Sequence, residues 1–528
     1  MMYIIDPIAF DNVAEDRANY GDLVNICVNY QLNKSHGLVA YSEIEYCFRP
    51  GLASDLDWPS YLFLGLSLII LFVCFASSSY DSWINKAQSE DHYTSEPICR
   101  RTTLLTAFSI KRNWYRLAAP SKDDLNQELQ FFQAFRFLTM VLVILGHSWN
   151  MLAMIPLLNP EGLERKYYRP ATIALINGTQ IVQTFFTIGG FMLALQTCNV
   201  QAKSNGGKLS WITIPTAIGF RYLRLTPVYA YVVLLHATWL SKLQDGPVWP
   251  RGVLTEERFC RKNWWTNMLF LNNYVNSDEP CLQQTWYLAC DFQLFVLGMI
   301  SLVIISRNPH LKFYVLSSVI IAAYIIPGMV IYFGKYDGVF INKLQDERFL
   351  YWYDSMYRHV YIPLHSNMGC YFGGIIFGTI YSSLRKTAHR PSQSLFLRLI
   401  WHMVVPVAFL SLISYRFFYE NYFPKPSLWM AIYYPIMKHL WIFLFTFLVY
   451  GVIGNYNGLI KRFLNYPAFL ILGRLTFCAY LSHMFVLKNA SKFISVVVLS
   501  YLMALVLALM LEFPISSLQK LISNKTKS

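Results

Sequence analysis

About eleven runs of some 18–25 mostly apolar residues recur along this 528-residue chain, each about long enough to cross the hydrocarbon core of a bilayer. In lipid every backbone polar group must find its partner within the protein, so such runs fold as helices or as strands of a closed barrel. Barrel strands are shorter and alternate in polarity, whereas these runs are continuous, which predicts an all-α integral membrane protein. The first run is Tyr61–Ser77, and ten more follow at about 134–155, 174–196, 222–240, 286–306, 311–333, 360–381, 397–414, 429–453, 467–487 and 494–514. Only 14% of the residues are charged, against roughly a quarter in a soluble domain; most side chains do not face water.

The net charge of +14 is not a nucleic-acid signature, because Lys and Arg fall in short segments between apolar runs and not in a basic stripe with interleaved aromatics. That distribution sets membrane orientation. With Ser79–Gln130 placed in the cytosol, the loops forced to the same side contain Lys203, Lys208, Arg221, Arg307, Arg385, Lys386, Arg390, Lys461, Arg462, Lys520, Lys525 and Lys527, and no Asp or Glu. The opposite loops hold Glu161, Glu164, Asp245, Glu256, Glu257, Asp278, Glu279, Asp337, Asp346, Glu347, Asp354 and Glu420. Acids steer orientation little, so the split serves as a check on the helix count. The expected organisation is an extracytosolic segment (1–58), a first transmembrane helix (59–78), a cytosolic linker (79–127), a ten-helix domain (128–514) and a cytosolic tail (515–528).

Cys27 and Cys47 fall in the outer N-terminal segment and Cys260 and Cys281 in the large outer loop, a compartment where disulfides persist; two pairs are expected. The remaining cysteines read as small buried residues, Cys99 in the cytosol and the others in or near helices. The start MMYIIDPIAFDN has neither a basic region nor a long apolar core, so no signal peptide precedes the outer segment. Either the first helix carries the N-terminus across, or the true beginning lies upstream; the second reading is preferred.

In FFQAFRFLTMVLVILGHSWNML, Arg136 and His147 are eleven residues apart, or about 16 Å along a helix. Arg136 then sits near the inner headgroups and His147 past mid-membrane. An ionisable residue there is costly and marks function by default, and histidine suits general-base work near neutral pH; the alternative is a packing histidine beside a close helix contact at Gly146. Gly189 and Gly190 read as a packing pair. Arg221 and Arg224, three apart, share a helix face. They would clamp a phosphate or snorkel to the interface. Asp291 and Gln293 enter an apolar run behind Trp286 and Tyr287, either to orient a histidine or bind substrate, or as a polar helix start in the aromatic belt. Arg474 and His483, with His365 and His439, read as packing or cavity-lining residues before catalytic ones. No HExxH, paired CxxC, P-loop or GxSxG occurs, so metal, nucleoside-triphosphate and serine-hydrolase chemistry have no motif here.

Taken in order, these segments resemble the acyltransferase type 3 superfamily, and within it the animal nose-resistant-to-fluoxetine-like branch. Arg136 with Gly146–His147 matches its first domain helix, and Arg221 and Arg224 match its R-x-x-R pair. Trp286, Tyr287, Leu288, Asp291 and Gln293 match W-Y-L-x-x-D-x-Q, and Gly473, Arg474, Leu475, Tyr480, Leu481 and His483 match its late motif. The resemblance spans roughly 128–514. Gln183 and Gly189 depart from a D-[ST]-F-F-x-x-S-G pattern, replacing its acid and its serine, which bears on activity. Cys27 and Cys47 would be the remnant of the branch's cysteine-bearing outer domain.

The resemblance implies acyl transfer from a cytosolic acyl-coenzyme A, as co-substrate with no permanently bound cofactor, to a hydroxyl acceptor. In this reading His147 is the base, Asp291 orients it or the acceptor, Arg136, Arg221 and Arg224 hold the donor's phosphates, and Gln293, His483 and Arg474 line the substrate cavity. Its partners are the bilayer, acyl-coenzyme A and a hydroxyl-bearing or hydrophobic small molecule, with no nucleic acid, in the endoplasmic reticulum or plasma membrane. The alternative is a non-enzymatic transporter or binding protein for lipids or hydrophobic small molecules.

Overall fold

The structure is a computed structural model that describes residues 12–48, 56–84, 92–95, 97, 99–121, 123–154, 160–170, 172–173, 177–203, 207–387, 394–420, 422–490 and 492–525. Arg390 and Lys527 lie outside the described residues, as do 204–206 of the expected cytosolic loop. Among the described residues every regular element is helical. We label the principal helices α1 (Val13–His36), α2 (Trp58–Ile84), α3 (Phe131–Met154), α4 (Gln183–Lys203), α5 (Thr213–Thr238), α6 (Thr255–Met268), α7 (Trp286–Arg307), α8 (Lys312–Gly334), α9 (Leu364–Lys386), α10 (the broken span Leu395–Glu420), α11 (Leu428–Ile453), α12 (Pro467–Arg474), α13 (Thr476–Asn489) and α14 (Phe493–Leu507).

Eight helical spans among the described residues are long and apolar enough to cross a membrane, or nine if α12 and α13, bent by 66° at Leu475, count as one. The chain is therefore an all-helical, multi-pass membrane protein. Each expected run overlaps a helix, but two fail on apolarity. α5 is 26 residues long and carries Arg221, Arg224 and His236; α9, of 23 residues, carries His365, Asn367 and several glycines. Boundaries also move. The third span continues to Lys203 and not only to 196, and residues 174–176 of its expected start lie outside the described residues. The expected tail after Pro514 is helical to Lys525, beyond a π-turn at Ala508–Glu512. On α2, Leu68, Phe72 and Phe75 are exposed, the face a lipid-bathed helix presents.

α4 and α9 form the tightest helix pair, and glycine is the reason. A Cβ on Gly190 would stand 1.9 Å from the Tyr371 carbonyl oxygen, and one on Gly374 would stand 2.1 Å from that of Thr187. Backbones approach this closely only where small residues line the seam. Gly146 has no such role: nothing lies within 4 Å of its would-be Cβ.

Two groups of loop contacts lie apart from one another. In one, Glu45 of the N-terminal segment meets Arg251 (Nε to Oε1 2.9 Å) and Arg348 (2.8 Å), and Asp57 meets Arg261 (2.5 Å). In the other, the linker helix Ile110–Ala118 is tied to α2 by Arg112 and Asp81 (2.8 Å) and to the last span by Asn113 and the Leu509 carbonyl (3.1 Å). The expected Cys260–Cys281 disulfide is formed. Cys27 and Cys47 are not joined. The segment after α1 runs back along it, with Ala40 at Asn29 and Ile44 at Arg17. Cys47 thus lies toward the start of α1, about 15 Å or more along the axis from Cys27, far beyond disulfide reach.

Candidate functional site

Two cavities lie along the axis of the helix bundle, on either side of a thin wall. The inner one, about 300 Å³, opens beside Arg136 of α3, Arg221 and Arg224 of α5, Asp291 of α7, Arg474 of α12 and Glu512. The outer one, about 110 Å³, is lined by Gly146, His147 and Asn150 of α3, by Gln284 and Trp286, and by Tyr351, Tyr357 and Tyr361. Acyl transfer as read from the sequence calls for His147 and the arginines in one continuous chamber; they line two instead. Their eleven-residue separation on α3, about 16 Å, puts them in opposite halves.

The wall is one layer of side chains. Trp286 faces the outer cavity while the next residue, Tyr287, faces the inner. Tyr480, also on the inner side, packs on Tyr287 with ring centroids 5.6 Å apart, and its hydroxyl donates to the carbonyl of Gln284 on the outer side.

The inner cavity holds more cations than anions. Arg221 is ion-paired with Asp291 and lies over the Phe295 ring, 4.4 Å from its centroid. Arg224 reaches Glu512 at 3.5 Å, and Glu512 also accepts from the Cys478 thiol at 3.2 Å. Arg474 turns its guanidinium to the carbonyls of Arg116 (3.2 Å), Leu117 (2.7 Å) and Ala119 (2.6 Å), capping the open end of the linker helix. Arg136 has no carboxylate within ion-pair distance among the described residues. Four guanidiniums against two carboxylates leave the cavity positive, and Arg136 is the cation least committed to the protein.

Three expected roles change here. Asp291 does not orient His147; it is spent on Arg221. Gln293 lines neither cavity: it exchanges hydrogen bonds with Asn273 (2.8 and 3.1 Å) and donates to the Phe270 carbonyl (2.8 Å), holding the turn after α6 where Phe270 has positive φ. His483 is fully buried behind both cavities and bonds His147, Nε2 to Nδ1, at 2.8 Å. Arg474 does line the inner cavity. Gln183 sits away from the histidines, donating to Asn367 Oδ1 at 3.0 Å, an oxygen that also accepts from Lys438 at 3.0 Å. A Cβ on Gly189 would stand 3.3 Å from Asp291 Oδ1, so the glycine leaves room at the carboxylate.

Glu512 escaped the sequence reading, although a lone carboxylate inside the last apolar run is a signal in its own right. Of the wall tyrosines, Tyr287 reads in the sequence as aromatic belt and Tyr480 only as a motif letter. Among the described residues no cluster of His, Cys, Asp or Glu could hold a metal ion.

The acyltransferase domain family model matches residues 129–517. The chain is 25% identical over 514 residues to nose resistant to fluoxetine protein 6 of Caenorhabditis elegans, an alignment covering 88% of this chain and 60% of that protein. It thus spans about three-fifths of that relative's length. No solved structure matches the chain.

Proposed function

The chain belongs to the acyltransferase type 3 family, in its nose-resistant-to-fluoxetine-like branch, and on that premise we propose that it transfers an acyl group from acyl-coenzyme A to the hydroxyl of a small molecule or lipid. The carrying observation is a half-buried imidazole in one cavity and a surplus of guanidinium charge in the next, with side chains of Trp286, Tyr287 and Tyr480 between them. Arg136 and Arg224 take the donor's phosphates, since fixed guanidiniums bind phosphate in pairs of charge-assisted hydrogen bonds. Arg221, held by Asp291, shapes the cavity wall. The thioester arm passes Tyr480 and Tyr287 to bring the acyl carbonyl to His147.

There His147 Nε2 takes the acceptor's hydroxyl proton as the oxygen attacks the carbonyl carbon. The C–O bond forms, the C–S bond breaks, and the proton passes from Nε2 to the departing sulfur, leaving an ester and free coenzyme A. Excess positive charge on the inner side supports an anionic donor; the outer cavity, with no Asp, Glu, Lys or Arg in its lining among the described residues, supports an uncharged acceptor.

The test uses the full chain in nanodiscs with lauroyl-coenzyme A and 1-dodecanol, following thiol release and dodecyl laurate. Turnover should fall about 100-fold or more in His147→Ala; undiminished turnover would rule out the base. A passage for hydrophobic molecules would use the same cavities, and transport of an unaltered fluorescent fatty acid without thiol release would favour it.

A further inference from the structure

The histidine pair beside the outer cavity fixes the direction of its own hydrogen bonds. The His147 and His483 rings lie nearly coplanar, 11° from parallel with centroids 5.0 Å apart, joined edge to edge by the 2.8 Å bond between Nδ1 of His147 and Nε2 of His483. The other nitrogen of His483, Nδ1, lies 2.7 Å from the carbonyl oxygen of Tyr480, on its own helix. A carbonyl only accepts, so Nδ1 of His483 carries the hydrogen. A neutral imidazole has one N–H and one bare nitrogen. Nε2 of His483 is then bare and accepts, and Nδ1 of His147 donates. That leaves Nε2 of His147 bare, on a ring that lines the outer cavity.

We infer that His483 is a positioning residue: it locks His147 in the tautomer whose proton sits on Nδ1 and whose free base, Nε2, faces the acceptor. This rests on the acyl-transfer reading above. His483 is fully buried and touches neither cavity, so it acts only through His147. Its second effect follows the proton. When Nε2 of His147 is protonated, the bond to His483 becomes charge-assisted and the positive charge in the membrane interior is shared with a second ring. The backbone of α13 enforces the chain of orientation, because the Tyr480 carbonyl three residues before His483 cannot reverse its role.

Nitrogen-15 spectra of the histidine-labelled full chain in nanodiscs read the tautomer directly, with His147 assigned by signal loss in His147→Gln. The wild type should show His147 protonated on Nδ1 and bare on Nε2. In His483→Asn, whose amide still reaches the Tyr480 carbonyl but not His147, the proton should move to Nε2. His483→Gln, which places an oxygen where Nε2 stood, should restore it. A wild-type His147 carrying its proton on Nε2 overturns the inference.

With lauroyl-coenzyme A and 1-dodecanol, His483→Asn should lower kcat about 100-fold, with KM for the donor changed less than about twofold. His483→Gln should regain most of the rate. Equal kcat in the Asn and Gln variants also overturns it. Absence of wild-type turnover sinks the acyl-transfer reading instead, and the spectra still decide the tautomer.

Discussion

At the inner cavity two arginines of one helix turn and one from a neighbouring helix look alike in sequence, yet their partners divide their work. Arg221 has Asp291 against it, buried and ion-paired. Removing it leaves a carboxylate stranded in low dielectric, which costs about 3–5 kcal/mol. Arg136 has no such obligation. Arg221→Ala should therefore lower the thermal midpoint of the detergent-solubilised protein sharply, and Arg136→Ala should leave it near wild type while raising KM for acyl-coenzyme A about tenfold, the loss of one charge-assisted contact. Equal midpoints for the two variants would refute this division. The sequence exposed the ionisable residues themselves, because each is costly in an apolar run. It could not expose their pairings. His147 meets His483 across 336 residues and Arg224 meets a glutamate in the last helix, and no spacing rule reports contacts between elements that far apart.

Elements were more legible than partners, since the bilayer fixes length and apolarity together. Every expected run overlaps helix among the described residues, and the failures are of two kinds. α12 and α13 read as one run but break at Leu475, and α5 and α9 are too polar to pass as spans on composition. α9 illustrates why. It gives up apolar bulk for Gly374 and Gly378 and sets its backbone against α4. Gly374→Ala should cost more than the about 1–3 kcal/mol typical of overpacking, because its Cβ would meet a backbone carbonyl, which cannot rotate aside. Gly146→Ala, with open space at the outer cavity, should unfold like wild type. Paired thermal melts check both, and a tolerated Gly374→Ala would mean that the α4–α9 seam can open.

Over the whole molecule the acids of the N-terminal segment and the basic residues of two later loops hold one face together, far from the arginine cavity. Glu45 bridges Arg251 and Arg348, the Tyr46 hydroxyl donates to the Pro247 carbonyl at 2.7 Å, and Asp57 joins α2 to the loop that carries the disulfide. The Ser60 hydroxyl, and after it the Arg261 guanidinium, hold the Asp57 carboxyl well below the usual carboxylate range. A carboxylate depressed in the folded state lends stability that is complete above its unfolded pKa, about 3.9, and is lost as pH falls through the folded value. Docking at Asp57 should thus persist unchanged from neutral pH to about 4 and weaken only below it. Because Asp57 and Arg261 are each more than a third exposed to solvent, salt screens the pair and its contribution is small. Hydrogen exchange of the α2 entrance and of residues 255–268 measures the docking: protection should stay flat across that range in the wild type, and Asp57→Asn should show already at neutral pH the faster exchange that the wild type reaches only in acid. A wild-type protection that declines steadily between pH 7 and 5 would mean that Asp57 is not held by Ser60 and Arg261, and that the segment rests on its other contacts.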